Sequence, residues 1–161
     1  MIQRIQSIFL LCTAVVAGLM FFMPVASITV PGTGIFDYYT TKLVQTGDAP
    51  EVIMRNWSSL VLNILVVAIA VVSIFLRKPG AKSMKPALLL QLRLSAVNVI
   101  LQLGMVVLMW MQVSQASKAV AGEWTANISL LFPVVGIILT WLAIRYIIKD
   151  IVLLQSYDRI R

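Results

Sequence analysis

Four long apolar runs divide the chain, each bounded by charged residues, proline or glycine. A helix rises about 1.5 Å per residue and a hydrocarbon core is about 30 Å thick, so each run is long enough to cross a bilayer as a helix. The first spans Ile5 to about Met23 and ends at Pro24. The second spans Trp57 to Leu76 and stops before Arg77, Lys78, Pro79 and Gly80. The third starts at Pro86, where a missing N–H costs little in a first turn, and runs to about Gln112. It exceeds what a membrane needs, which places Gln91 and Arg93 in the headgroup zone. The fourth contains Pro133 near its start. A helix beginning there is short, so the pattern predicts a start near Ile128 with a bend at the proline. No glycine or proline follows Ile151, and the helix is expected to continue to about Ser156, its apolar end lying on the membrane surface or against a partner.

Between the first two runs, residues 24–56 read differently. Ser27–Val30 and Ile35–Thr41 are β-branched and aromatic, and they flank the turn cluster Pro31-Gly32-Thr33-Gly34, which predicts a β-hairpin. A second turn at Gly47-Asp48-Ala49-Pro50 leads back to the second helix. Two strands alone are marginal in water, so the hairpin must rest on helix ends, a membrane surface or a partner. Phe36, Tyr38 and Tyr39 are the candidate partner surface on it; an interfacial aromatic belt with Trp57, Trp110 and Trp124 is the plainer reading.

Composition places these elements in a class. Of 161 residues, 60% are hydrophobic and 12% charged, against about 45–50% and about 25% in soluble domains. A chain this short cannot bury that excess in a water-soluble core. The expected fold is an all-α integral membrane protein: four transmembrane helices (about 5–23, 57–76, 86–112 and 128–156) with a small extracytoplasmic β-hairpin between helices 1 and 2. A single basic residue, Arg4, ahead of a run slightly longer than a usual signal-peptide core favours an uncut anchor for the first helix; a removable signal peptide with Val25-Ala26-Ser27 as its cleavage site is the alternative. With no histidine, one cysteine and six acids, the sequence excludes disulfide frameworks, most metal sites and His-based catalysis. Cys12 is expected to be packed inside the apolar first helix. No phosphate-binding glycine loop or metal-binding motif occurs, so no cofactor and no enzymatic activity are expected.

Charge gives orientation. Arg77, Lys78, Lys82, Lys85 and Arg93, with the basic residues of both termini, make ten of the 13 on one side, for a net +8 once Asp150 and Asp158 are counted. The other connections carry −1. By the positive-inside rule both termini and the basic loop 77–85 face the cytoplasm of a cell inner membrane. Anionic headgroups are a further partner for that loop, and ribosomal RNA an alternative one, although no nucleic acid is expected. Arg93 and Arg145 should snorkel toward the same edge, with Asp150 the nearest carboxylate for Arg93 and lipid phosphate the partner for Arg145.

Within the membrane the informative feature is a row on the third helix. Gln91, Ser95, Asn98 and Gln102 recur at spacings of four, three and four and therefore share one face. Ser59 and Asn63 on the second helix, Cys12 and Thr13 with Ala14 and Gly18 on the first, and Gly136 with Thr140 on the fourth are candidate partners. The row reads as an interhelical polar seam or, alternatively, as a path for a solute. With the spanning part of the fourth helix ending near Ile148, no acid lies within a spanning segment, which removes a titrating proton relay.

The opening Met1-Ile2-Gln3-Arg4-Ile5-Gln6, the exit Phe21-Phe22-Met23-Pro24, Leu142-Ala143-Ile144-Arg145 with Lys149-Asp150, and the closing Ser156-Tyr157-Asp158-Arg159-Ile160-Arg161 resemble a family of small four-helix inner-membrane proteins of unknown function from Bacteroidota. The resemblance implies no activity. By exclusion, the expected function is a non-catalytic accessory subunit or assembly factor of a larger membrane complex. The alternative is a small transporter or channel acting as a homo-oligomer.

Overall fold

The computed structural model describes residues 3–32, 34–46, 51–76 and 85–158. Among them are four helices, α1 (Gln3–Leu19), α2 (Trp57–Phe75), α3 (Lys85–Ala119) and α4 (Phe132–Asp158), with a 3-10 turn at Ile128–Leu131 leading into α4. Five strands join them: β1 (Ala26–Val30), β2 (Gly34–Tyr38), β3 (Lys42–Thr46) and β4 (Val52–Arg55) between α1 and α2, and β5 (Glu123–Ala126) between α3 and α4. Each helix packs on its two neighbours in the cyclic order α1, α2, α3, α4, so α1 and α3 face across a diagonal. Because every strand falls in an α1–α2 or α3–α4 connection, all five lie at one end of the bundle.

Three segments, Trp57–Phe75, Pro86–Ala119 and Ile128–Ser156, are long and apolar enough to cross a membrane. The exterior has the matching chemistry: Ile8, Val61, Ile100, Val107, Ile138 and Trp141 are each more than half exposed. The expected first span is shorter than its sequence indicates, with an apolar helical part of only Ile5–Leu19. Helix α1 stops there because the next turn tightens: Phe21 N–H bonds the Gly18 carbonyl at 3.2 Å and Met23 N–H bonds that of Leu19 at 3.3 Å. The Thr40 hydroxyl then takes the Met20 carbonyl at 2.8 Å. Helix α3 goes the other way, running seven residues beyond Gln112 for want of any breaker before Gly122. The basic residues Arg77, Lys78 and Lys82 lie outside the described residues.

The all-α expectation needs correction, since the hairpin is part of a five-stranded antiparallel sheet in the order β4-β3-β2-β1-β5. The β1–β2 hairpin pairs Ile28 with Phe36 and Ala26 with Tyr38 around Pro31 and Gly32, whose φ of +85° suits the turn. Tyr38 pairs with Leu43 across a short β2–β3 turn closed by Tyr39 N–H on the Lys42 carbonyl at 2.8 Å. Strand β5 joins the other side of β1, with Ile28 opposite Trp124. Alternation then sorts the two faces. Ala26, Ile28, Phe36, Tyr38 and Leu43 turn toward the helices and pack with Met20, Met105, Met109, Val113 and Ala116 into the main apolar core. Ser27, Asp37 and Thr46 turn away and bond one another: Asp37 accepts from Ser27 at 2.9 Å and from Thr46 at 3.0 Å. Burying a side chain such as Ile28 or Phe36 contributes about 1.5–3 kcal/mol, so this layer is anchored by hydrophobic burial.

The junction from α3 into β5 is a Schellman turn, with Gly122 N–H on the Ser117 carbonyl at 3.1 Å and Ala121 N–H on that of Lys118 at 3.4 Å. It places Ala121 at φ 51°, where an L side chain is strained. Gly122 is sterically required, because a Cβ there would stand 2.8 Å from the Ile28 and Val30 methyl groups and 2.9 Å from the Thr29 carbonyl oxygen. Ala121→Gly is therefore expected to stabilise the protein by about 1 kcal/mol. Gly122→Ala should lower the melting temperature by pushing β5 off β1. Thermal unfolding of the two variants in detergent micelles, followed by circular dichroism, checks both signs.

Candidate functional site

The bundle interior is lined with polar side chains. Gln6, Thr13, Asn63, Ser73, Gln91, Ser95, Asn98, Gln102, Thr140 and Asp150 are all buried there, among the small residues Ala14, Ala17, Ala70 and Ala143. The helices turn these small and polar positions inward together with a few larger apolar ones, Leu10, Val66, Leu88 and Ile147, and keep most of their apolar side chains for the exterior.

Three hydrogen-bonded knots hold the helices. Gln102 Nε2 donates to Thr140 Oγ1 at 3.1 Å, and that hydroxyl lies 3.4 Å from Thr13 Oγ1, which joins α3, α4 and α1. Gly136 makes the first bond possible, since a Cβ there would fall on the Gln102 side-chain oxygen. Asn63 Nδ2 donates to the Ala17 carbonyl at 3.1 Å, tying α2 to α1. Gln6 Nε2 donates to Asp150 Oδ2 at 2.6 Å and to the Tyr146 carbonyl at 3.1 Å, tying α1 to α4, with Phe9 stacked on Tyr146 alongside. Among the described residues, however, Gln91 Nε2, Ser95 Oγ, both amide atoms of Asn98 and Gln102 Oε1 are buried without a hydrogen-bond partner. Each such atom costs about 1–3 kcal/mol when left unpaired.

At the sheet end, Tyr38 locks the strands to the helices. Its hydroxyl donates to Gln112 Oε1 at 2.8 Å and accepts from Asn56 Nδ2, while Gln112 Nε2 reaches Ser58 Oγ at 2.7 Å. Burial pushes the Tyr38 phenol above its ordinary 10.0, although its bonds with Asn56 and Ser59 pull the other way.

The outer edge of the sheet is unlike its inside. All four residues of β4 are exposed, and three in succession, Val52, Ile53 and Met54, are apolar. Leu43 pairs with Met54 and Val44 with Val52, leaving Ile53 in a bulge, and among the described residues no strand covers the far side of β4. Nearby, Trp57, Ser58, Val61, Leu62, Leu65 and Leu108 line an open groove of about 400 Å³ between α2 and α3.

A family model described as a domain of unknown function, DUF4293, matches residues 2–160. The chain belongs to this family. No curated protein matches it in sequence.

Gln91, Ser95, Asn98, Gln102 and Asn63 are all buried inside the bundle, Asn63 bonded to the Ala17 carbonyl of α1. The structure does not put Phe36 and Tyr38 on a partner surface: both are buried, because their strand positions alternate inward with Ile28, and only Tyr39 remains half-exposed. Arg93 and Arg145 are exposed, the latter with its guanidinium 4.7 Å above the Trp141 ring. Asp150, the carboxylate expected near Arg93, is buried and accepts from Gln6 of α1, whereas Arg93 is exposed. Cys12 faces out of the bundle, while Thr13, Ala14 and Ala17 line the seam. Sequence reasoning missed β3, β4 with its apolar edge, and β5; Val44, Thr46, Val52 and Ile53 on either side of Gly47–Pro50 are the few β-branched positions that pointed to the first two.

Gly136→Ala should expel Gln102 from the seam and destabilise the bundle by about 1 kcal/mol, the order of an interhelical hydrogen bond. For Tyr38, the raised folded pKa means that the unfolded chain loses its phenolic proton first, so stability falls as pH rises above about 10. Tyr38→Phe should remove that alkaline component and cost about 1–3 kcal/mol at neutral pH, by leaving Asn56 and Gln112 short of a partner. Denaturation midpoints of wild type and variant between pH 7 and pH 11 measure both effects.

Proposed function

We propose that this protein is a non-catalytic subunit or assembly factor of a larger inner-membrane complex, which engages an extended segment of another envelope protein by strand addition to β4. The observation that carries this reading is the exposed apolar edge Val52-Ile53-Met54. Unprotected edges of this kind pair readily with further chains, and soluble proteins usually blunt them with charge, proline or a covering element. Here the flanking Glu51 and Arg55 bracket the apolar stretch without interrupting it. The rest of the sheet is already supported by its own chain, so the docking role falls on its margin and away from the buried aromatic residues. In this reading all four helices span, α1 with help from the turn at Met20–Met23, and both termini face the cytoplasm with the sheet outside. The supports are the charge asymmetry and the gathering of the strands at one end.

A second reading, a small transporter or channel, draws on the buried polar row of α3. It predicts a homo-oligomer that passes solute in liposomes.

A photo-crosslinking amino acid at Ile53, in cells expressing the full chain, is expected to form a discrete adduct with a different membrane or envelope protein. The same residue at Thr125, on the polar face of the sheet, should not. Adducts only with further copies of this chain, together with solute flux, would favour the transporter instead. Alkaline phosphatase fused after Gly47 should be active, and after Gly80 inactive; the reverse pattern overturns the orientation.

A further inference from the structure

Spacings of three, four, three and four put Ile138, Trp141, Arg145, Ile148 and Val152 on one face of α4, and all five are exposed. A cation thus stands in the middle of an apolar surface. Its depth follows from the helix contacts. Asn63 of α2 bonds the Ala17 carbonyl of α1, and Thr13, one turn further from the sheet, meets Thr140 of α4. Arg145 comes five residues after Thr140, so its Cα is level with about Val72, roughly 5 Å short of the end of α2 at Phe75. Helix side chains lean toward the N-terminus, and the Arg145 guanidinium accordingly turns back over the Trp141 ring, 4.7 Å from its centre and deeper in the span. Lys149, one turn on, is the cation level with the end of α2, where lipid phosphates lie.

No carboxylate of this chain is placed to meet Arg145. Of the six acids, Asp37, Asp48, Glu51 and Glu123 belong to the connections at the sheet end, and Asp150 is buried and bonded by Gln6. Asp158 lies 13 residues, about 20 Å, further along α4. A second copy in the same orientation brings the same set of acids and leaves the cation unmatched as well. Among the described residues, nothing accepts a hydrogen bond from the guanidinium. Charged residues within a span almost always face a protein interior and pair there. Arg145 faces out of this bundle, so the interior it belongs to is completed by another chain.

We infer that this face of α4 docks a transmembrane helix of a different protein, which presents an aspartate or glutamate to Arg145 beside Trp141. A guanidinium stacked on an aromatic face keeps its edge free, and that planar fork of N–H donors matches a carboxylate bidentately. Tryptophan and arginine are also the side chains that dominate the energetics of protein interfaces. Ile138, Ile148 and Val152 supply the apolar surroundings that exclude water from such a pair. The inference rests on the reading of this protein as a subunit of a membrane complex, and adds a contact within the bilayer to the one at β4.

Benzoylphenylalanine placed at Ile148, in cells expressing the full chain, tests this. A discrete light-dependent adduct with a different membrane protein is expected, reduced at least about tenfold by Arg145→Leu and largely retained by Arg145→Lys. Arg145 is exposed, so both variants keep the fold, which matched membrane levels and matched elution in detergent verify. Peptide mapping should place the adduct in a spanning segment that contains an aspartate or glutamate. Exchanging the charges, with that acid made arginine and Arg145→Glu in this chain, should restore the adduct that either change alone removes. An adduct indifferent to Arg145→Leu, or in a segment without an acid, would overturn the inference. So would adducts with lipid alone, which would make lipid phosphate the counter-ion. Loss of the Ile148 adduct while that from Ile53 persists removes this contact and leaves docking at β4; no protein adduct from either position removes the subunit reading itself.

Discussion

Every helix of this protein presents apolar side chains outward, and hydrogen bonding in the interior has to supply what hydrophobic association cannot. Hydrocarbon surroundings are as apolar as leucine, so helices gain little there by hiding leucine from lipid. What brings them together is close approach at small residues and the pairing of polar groups with nowhere else to go. Gln102 with Thr140, Asn63 with the Ala17 backbone, and Gln6 with Asp150 are three separate answers to that one constraint. Gly136 shows its steric side, since Gln102 reaches α4 only where α4 has no Cβ.

At the sheet end the rule inverts. Ile28, Phe36 and Leu43 are buried against the helix ends, and Ser27, Asp37 and Thr46 form a polar layer on the other face of the strands. One chain thus carries two opposite patterns, apolar outside along the bundle and apolar inside at the sheet. The methionines Met20, Met105 and Met109 occupy the changeover, where flexible, polarisable side chains accommodate a bundle of one character beneath a sheet of the other. Tyr38 bridges the same boundary, with its ring in the apolar layer and its hydroxyl on Asn56 and Gln112.

The long apolar segments were legible because hydropathy is a sum over many residues, and the α3 row was legible because 3.6-residue periodicity survives in any solvent. Burial of Phe36 and Tyr38 was not. Aromatic residues near a membrane edge suit an interfacial belt and a core equally well, and only the strand register says which way they point. Strands β3 and β4 are five and four residues long and offer too little alternation to stand out beside a helix. For β5 nothing local sufficed, since its partner β1 is about a hundred residues away. The length of α1 was misjudged for a related reason: Phe21 to Met23 remain apolar after the backbone has turned.

That distance between β1 and β5 also sets an order of events. Thr125 bonds the backbone of Ser27 across 98 positions, and between them lie β2 to β4, two complete helices and the basic loop. A ribosome adding about 5–20 residues per second reaches β5 roughly 5–20 s after β1 has emerged. During that interval the first four strands can form a meander, but the β1 margin stands open until α3 has been made and its far end delivered. The last strand to be synthesised is therefore the one that closes the sheet, and biogenesis of this protein includes a wait with an unpaired backbone at its centre.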